Sequence, residues 1–165
     1  HTLVLAGADW NGSDFIHRRI ESSTVREDIL RTGFTPTTLL PHLYSACDLM
    51  IYPSLFEGFG LPLIEAMACG ARVICSNTSS MKELAANRLP TFSPDRVECI
   101  ADALQSALAT PWTPSDRDAA CSYAAQFTWQ NAAEQVMEIY ERVYHEHYRD
   151  HYAVQKRNAS YAQVA

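Results

Sequence analysis

The chain has 165 residues, 47% of them hydrophobic and 19% charged, and a formal net charge of −6. This is the size and make-up of one globular domain, and the acidic balance argues against nucleic acid as a partner, because phosphate backbones are bound by basic faces. No apolar run approaches the ~18 residues of a membrane span, and no signal peptide precedes the strand-like run that starts at Thr2.

Thr2–Gly7 is a short apolar run ending in glycine and predicts a buried strand. A core strand this early leads us to expect a further segment upstream of His1. Asp14–Ser22 reads as a helix and Asp28–Phe34 as a second strand. Pro36 is expected to open a helix through Leu39, Leu40, Leu43 and Tyr44. Asp48–Tyr52 predicts a strand stopped by Pro53, and Pro62–Cys69 a helix with Gly70 just past its end. Arg72–Ser76 predicts the next strand. Ser80–Ala86 predicts a short helix, with Ser80 and Glu83 as a capping box. Leu89–Phe92 reads as a short strand, and three helices follow over about Arg96–Leu108, Ser115–Gln126 and Thr128–Tyr148. In the last, Ala132, Val136, Ile139, Tyr140, Val143 and Tyr144 form one stripe, and Trp129 and the helix's tyrosines read as core. Strands alternating with helices specify an α/β fold with a Rossmann-like, doubly wound parallel sheet, followed by C-terminal helices. Residues 1–149 form the domain and 150–165 a polar tail.

Five cysteines, Cys47, Cys69, Cys75, Cys99 and Cys121, are odd in number and show no CxxC spacing. They read as reduced, buried thiols of a cytoplasmic protein. His147 and His151 have an i, i+4 spacing that suits a metal, but Glu146, Arg149 and Asp150 around them read as an exposed helix end. Lys82 reads as solvated and Arg72 as half of a surface ion pair.

The chemistry concentrates in Pro53-Ser54-Leu55-Phe56-Glu57-Gly58-Phe59-Gly60-Leu61-Pro62-Leu63-Ile64-Glu65-Ala66-Met67-Ala68-Cys69-Gly70. This is a strand end, a glycine-rich turn and a helix, at the edge where open parallel sheets bind ligands. Gly58 and Gly60 strip side chains from the turn, so that backbone amides at the helix start meet an anion, which the helix dipole favours. Glu57 and Glu65 face the same crevice as acceptors for hydroxyl groups. A carboxylate beside a phosphate is repulsive unless it faces neutral polyol atoms while the amides face the phosphate. Sugar and ribose hydroxyls joined through a diphosphate meet that demand. After the next strand, Asn77-Thr78-Ser79-Ser80 leads into a second helix start at the same edge.

Glu57 and Glu65 form E-x7-E within PSLFEGFGLPLIEAMACGARVICSNTSS. With LVLAG, LRTGFTP, LYSACDLMIYPS and FTWQNAAEQVMEIY, this string closely resembles the C-terminal, donor-binding lobe of family 4 retaining glycosyltransferases, which have the two-lobed GT-B fold. The resemblance runs from about Leu3 to Tyr144. It implies transfer of a hexose, mannose among the candidates, from a nucleotide-diphosphate donor, with retention and without a required metal or other cofactor. GDP-mannose and UDP-hexoses are the implied donors, and the acceptor would be a glycan or a lipid-linked sugar in polysaccharide biosynthesis. The implied catalytic residue is Glu57, in contact with donor-sugar hydroxyls. By the same resemblance Gly58, Phe59, Gly60 and Leu61 present backbone to sugar or phosphate, Glu65 holds the ribose, Ser79 and Ser80 approach the diphosphate, and Phe34 and Thr35 seat the nucleobase. The implied location is cytoplasmic, with peripheral association at the inner face of a membrane.

The chain also departs from the pattern. The family's glycine-arginine strand and the lysine that clamps the diphosphate are not matched, since the two lysines are Lys82 and Lys156. The N-terminal acceptor lobe is not part of this sequence, and Ala86-Asn87-Arg88 replaces a Gly-Asp-Ala run. Tyr144, Tyr148 and Tyr152 then read alternatively as surface that such a lobe would cover. These departures keep open a non-catalytic nucleotide-sugar-binding or interaction module. A dinucleotide-dependent oxidoreductase fits less well, because Gly7-Ala8-Asp9-Trp10-Asn11-Gly12 is not G-x-G-x-x-G. A phosphorylase of the same fold lacks a lysine placed for its cofactor.

Overall fold

A computed structural model of the chain describes residues 1–86 and 88–148. The elements run β1 (Leu3–Ala6), α1 (Ser13–Glu21), a 3-10 turn (Arg26–Asp28), β2 (Ile29–Gly33), α2 (Leu40–Ala46), β3 (Met50–Tyr52), α3 (Leu61–Ala68), β4 (Val73–Ser76), α4 (Ser79–Ala85), β5 (Thr91–Phe92), α5 (Val97–Ala109), α6 (Pro114–Ala124) and α7 (Trp129–His147). Every strand pair is parallel, as the alternation predicts. The hydrogen-bonded ladders fall into two groups, β1-β2 and β3-β4-β5.

The core is built on β4, whose four residues are all buried. Side chains alternate across a strand, so Val73 and Cys75 enter one cluster and Ile74 the other. The first cluster joins Leu63 and Met67 of α3, Met81 and Leu84 of α4, and Ala120 and Tyr123 of α6. The second joins Ile74, Phe92 and Ala107, flanked by Leu49, Ile51 and Leu104. Both faces of the sheet are thus covered, as parallel strands require. Each fully buried Leu or Ile contributes roughly 1.5–3 kcal/mol by leaving water.

The β1-α1-β2 unit differs from the buried strand expected there. Leu3, Val4, Phe15, Ile16 and Leu30 are all exposed. An apolar run is enough to form a strand, but burial needs partners on its faces, and among the described residues β1 pairs only with β2.

Helix starts also shift. Pro36 begins a turn closed by the Leu39 amide on the Pro36 carbonyl (2.9 Å), and α2 starts at Leu40 with Pro41 in its first turn. A helix begun at Pro36 would place Pro41 in its interior, where the ring removes a hydrogen bond. The Ser80–Glu83 capping box does not form. Thr78 is the N-cap of α4 without a side-chain cap bond, and the Ser80 hydroxyl donates instead to the Glu57 carbonyl (3.1 Å). A capping box forms at α6, where the Asp116 amide donates to Thr113 Oγ1 (3.3 Å) and the Thr113 amide to Asp116 Oδ2 (2.8 Å).

The stripe on α7 is not core: α7 has no buried residue, Tyr140 is 65% exposed and Trp129 86%. Tyr144 and Tyr148 stack on each other at 6.2 Å between ring centroids. His147 is exposed, while its i+4 partner His151, Tyr152 and the tail 150–165 lie outside the described residues, as does Asn87. All five cysteines are free, but only Cys75 is buried and Cys47 is exposed. Burial pushes the Cys75 thiol up to about 11. Among the described residues Arg72 forms no ion pair. It donates to the Thr110 carbonyl (2.6 Å) and lies over the Trp112 ring at 5.6 Å.

The capping box gives a stability test. Thr113→Ala should lower unfolding stability by about 1 kcal/mol in urea melts, and an unchanged midpoint would refute the cap's contribution. Hydrogen bonds from the Thr113 hydroxyl and then its amide hold the Asp116 carboxyl below its usual range. Its share of stability is therefore complete above the ordinary carboxylate range and is lost as pH falls through the lowered value.

Candidate functional site

The register Tyr52↔Cys75 sets β3 and β4 side by side, so the chain leaves both strands at the same edge. Pro53 cannot donate to the ladder and ends β3. The segment 53–60 then loops to α3, and Asn77–Thr78 leads to α4. Four hydrogen bonds stitch the two connections together. Ser76 Oγ donates to the Tyr52 carbonyl (3.4 Å) and Thr78 Oγ1 to the Ser54 carbonyl (3.4 Å). The Glu57 amide donates to Ser79 Oγ (3.1 Å), and Ser80 Oγ to the Glu57 carbonyl (3.1 Å). Ser79 has φ 48°, a left-handed conformation that costs a non-glycine residue on the order of 1 kcal/mol.

Gly60 is the N-cap of α3 at φ 98°. A Cβ there would lie 3.3 Å from Leu84 Cδ1 and 3.7 Å from Met81 Cγ, so glycine is favoured by its left-handed conformation and lets the turn sit close against α4. A Cβ on Gly58 would meet nothing within 4 Å; its bare backbone faces open space. No side chain caps the start of α3 or α4, which leaves their first amides to other acceptors. Leu61 is half-exposed at the first position of α3. Phe59 turns its ring away to meet Phe127 edge-on (5.9 Å), and Phe127 meets Tyr123 the same way (5.2 Å). Tyr123 is fixed by its hydroxyl on the Leu84 carbonyl (2.8 Å) and carries the Arg88 guanidinium at 4.7 Å. The glycine-rich loop therefore leans on a ladder of three rings.

Glu57 is half-buried. Its Oε1 accepts from the Tyr52 hydroxyl (2.7 Å) and from Ser54 Oγ (2.9 Å), whose single proton is shared with the Phe56 carbonyl (3.2 Å). Glu65, on the exposed side of α3, accepts from the Tyr44 hydroxyl at Oε2 (3.3 Å). Burial first, and then the charge of Glu65, pushes the Tyr44 hydroxyl up to about 12. Burial, followed by the bond to Glu57, pushes Tyr52 further up, and Tyr44 and Glu65 also act on it. The two carboxylates and the two phenols thus form one electrostatic group.

The structure brings together Glu57, Phe59, Gly60, Ser79 and Ser80, with Glu65 one turn into α3. It places Phe34 and Thr35 just past β2, in the other ladder. Phe34 is 78% exposed, and Thr35 Oγ1 is engaged by Thr32 Oγ1 (2.8 Å) and the Gly33 carbonyl (3.3 Å). Among the described residues no hydrogen bond joins this pair to the Glu57 loop. Tyr44, Tyr52 and Ser54 escape the sequence reading, which takes the tyrosines as helix stripe and strand. The signal was Tyr52's place as the last residue of its strand, at the binding edge. A second polar cluster was also missed: Asp9, after β1, accepts from His17 Nε2 (3.0 Å) and from Arg31 Nη2 (3.0 and 3.1 Å). The bond to His17, ahead of Arg31, holds Asp9 below the usual carboxylate range. Among the described residues no three His, Cys, Asp or Glu side chains converge to hold a metal, and no helix is long and apolar enough to cross a membrane.

Residues 1–128 match the family model of glycosyl transferases group 1. The chain is 34% identical over 142 residues to O-antigen chain mannosyltransferase B of Escherichia coli, covering 86% of this chain and 37% of that protein. It therefore spans little more than a third of that relative's length. Among solved structures it resembles sucrose-phosphate synthase from Thermosynechococcus elongatus (29% identity, TM-score 0.68), covering 88% of this chain and 39% of that one. It also resembles Anabaena Alr3699/HepE, determined in complex with UDP (24% identity, TM-score 0.74), covering 86% of this chain and 41% of that one. The parallel α/β architecture is the GT-B fold of these neighbours, and the chain belongs to the group 1 glycosyltransferases.

Proposed function

We propose that the chain is the nucleotide-sugar donor lobe of a retaining, family 4 hexosyltransferase that acts on a glycan or lipid-linked acceptor in polysaccharide biosynthesis. The observation that carries this reading is the pairing of anchored carboxylates, Glu57 and Glu65, with uncapped helix starts along one edge. Amides and helix dipoles at Phe59, Gly60 and Leu61 suit a diphosphate. Carboxylates suit the hydroxyls on either side of it. Glu57 takes the catalytic place at the sugar, Glu65 the ribose, and Phe34 and Thr35 the base. Ser80 acts through the loop it stitches, its proton given to the Glu57 carbonyl, while Ser79, which accepts from the Glu57 amide, keeps its own proton for the diphosphate. GDP-mannose is the favoured donor, on the name of the Escherichia coli mannosyltransferase, with UDP-hexoses next, on the UDP bound to Alr3699/HepE. The reaction needs no metal in this reading. The acceptor site belongs to another lobe, and the protein works in the cytoplasm, against the inner face of a membrane.

Calorimetric titration with GDP-mannose and UDP-glucose tests the reading. One of them should bind, and Glu65→Ala should weaken it by at least about tenfold, the loss of a charge-assisted hydrogen-bond acceptor. Unchanged affinity would remove Glu65 from the site. Phe127→Ala, which removes the middle ring of the ladder, should weaken the same donor by about three- to tenfold. If donor affinity is indifferent to it, the aromatic ladder does not position the loop.

A further inference from the structure

Among the described residues, each carboxylate of the site is held through one oxygen. Glu57 Oε1 takes two short O–H donors, from Tyr52 at 2.7 Å and Ser54 at 2.9 Å. These flank Pro53, so the two donors are tied to the same rigid strand end. Glu65 Oε2 takes the Tyr44 hydroxyl at 3.3 Å. Tyr44 lies on α2 and Tyr52 on β3, and both rings pack against the core cluster that holds α3 and α4. We propose that Tyr52, with Ser54, and Tyr44 are positioning residues of the donor site: Tyr52 orients Glu57 so that Oε2 meets the sugar, and Tyr44 orients Glu65 so that Oε1 meets the nucleoside. This assignment rests on the donor-site reading above and deepens it.

The physical ground is preorganisation. A glutamate has three side-chain torsions, and a free one samples many orientations, each of which must be given up when a ligand is bound. Fixing one oxygen beforehand removes that cost and leaves the other as acceptor. A tyrosine suits this task because its ring has only two torsions and anchors in the core while its hydroxyl reaches the edge. Both phenols titrate above their ordinary value, so they remain O–H donors through the neutral range. Their protons then point at the carboxylates, the acceptors within reach. Tyr52, Ser54 and Tyr44 need touch no ligand to act in this way.

The two tyrosines serve different halves of the donor, and this separates positioning from mere support of the fold. Calorimetry on the full chain uses two pairs of probes, GDP with GDP-mannose and UDP with UDP-glucose, against wild type, Tyr52→Phe, Ser54→Ala, Tyr44→Phe and Glu57→Gln. Thermal melts check that each variant folds. Tyr52→Phe should weaken the sugar nucleotide on the order of tenfold and leave the bare diphosphate within about twofold. Ser54→Ala should show the same selectivity with a smaller loss. Tyr44→Phe should weaken both members of a pair by the same several-fold factor in wild type and by nothing further in a Glu65→Ala background, since it acts through Glu65; an equal loss in that background would mark Tyr44 as structural.

Equal weakening of both probes by Tyr52→Phe would mark it as structural and overturn its assignment. No loss on either probe in Tyr44→Phe would overturn that of Tyr44. A selective loss in Glu57→Gln with none in Tyr52→Phe or Ser54→Ala would leave the donor site standing and refute the positioning. No selective loss in Glu57→Gln, or no binding of any probe to wild type, would overturn the donor-site reading and this inference with it.

Discussion

The site depends on one stitch: Ser79 and Ser80, at the start of α4, hold the backbone of Glu57 through its amide and its carbonyl. A loop after a parallel strand has no ladder partner of its own, and its amides and carbonyls must find other partners or water. Here two hydroxyls from the neighbouring crossover supply them. The parallel register of β3 and β4 makes this possible by bringing the two connections out at one edge. Ser79 meets its partner only by adopting a left-handed conformation. That local strain is tolerated because β4, buried along its whole length, and the packed Met81 and Leu84 fix α4 behind it.

On the proposed function, the same arrangement reconciles an acidic chain with an anionic donor. The net charge is −6, and two of the carboxylates counted in it lie in the site itself. No long-range field attracts a diphosphate under those conditions. Attraction has to be local, from peptide amides at uncapped helix starts, where the dipole is concentrated within the first turn. The carboxylates do not oppose it as long as they are turned to neutral hydroxyls, so their orientation matters more than their mere presence. Hydrogen bonds from half-buried phenols supply orientation without adding charge.

Much of this was legible from residues alone. The order of strands and helices followed from apolar runs and glycine or proline punctuation, and the string from Pro53 to Ser80 marked the edge that matters. Local signals failed where tertiary partners decided. Ser80 and Glu83 have the spacing of a capping box, but α4 starts at Ser79 with Thr78 as its N-cap, so Ser80 lies inside the first turn and gives its proton to the Glu57 carbonyl. Thr113 and Asp116 form the box because Thr113 stands at the N-cap itself, with Pro114 opening the helix behind it. Pro36 and Pro41 are both able to start a helix, and only the cost of an interior proline selects Pro41. The apolar stripe on α7 reads as core by periodicity, yet periodicity shows that a face is apolar and not that something covers it. Tyr44 and Tyr52 were hidden for the converse reason. Their rings do belong to the core, and nothing in a sequence tells where a half-buried phenol's hydroxyl ends.

The ladder Phe59–Phe127–Tyr123 ties this edge to the C-terminal helices. Phe127 directly precedes Thr128, whose hydroxyl caps α7 by accepting from the Asn131 amide. The Asn131 side chain in turn donates to the Gln126 carbonyl (2.9 Å), so the corner between α6 and α7 closes on itself around Phe127. A rotation of α7 about that corner would carry Phe127 with it and shift the support under Phe59. Edge-on aromatic contacts of this kind are worth only about 0.5–1.5 kcal/mol each, small enough to be exchanged for others. The glycine-rich loop is held toward β4 by hydroxyls and a buried strand, and toward the C-terminal helices by the ring contact of Phe59 with Phe127. The direction in which the amides of Phe59, Gly60 and Leu61 point is thus set jointly by the core and by the placement of the last helix.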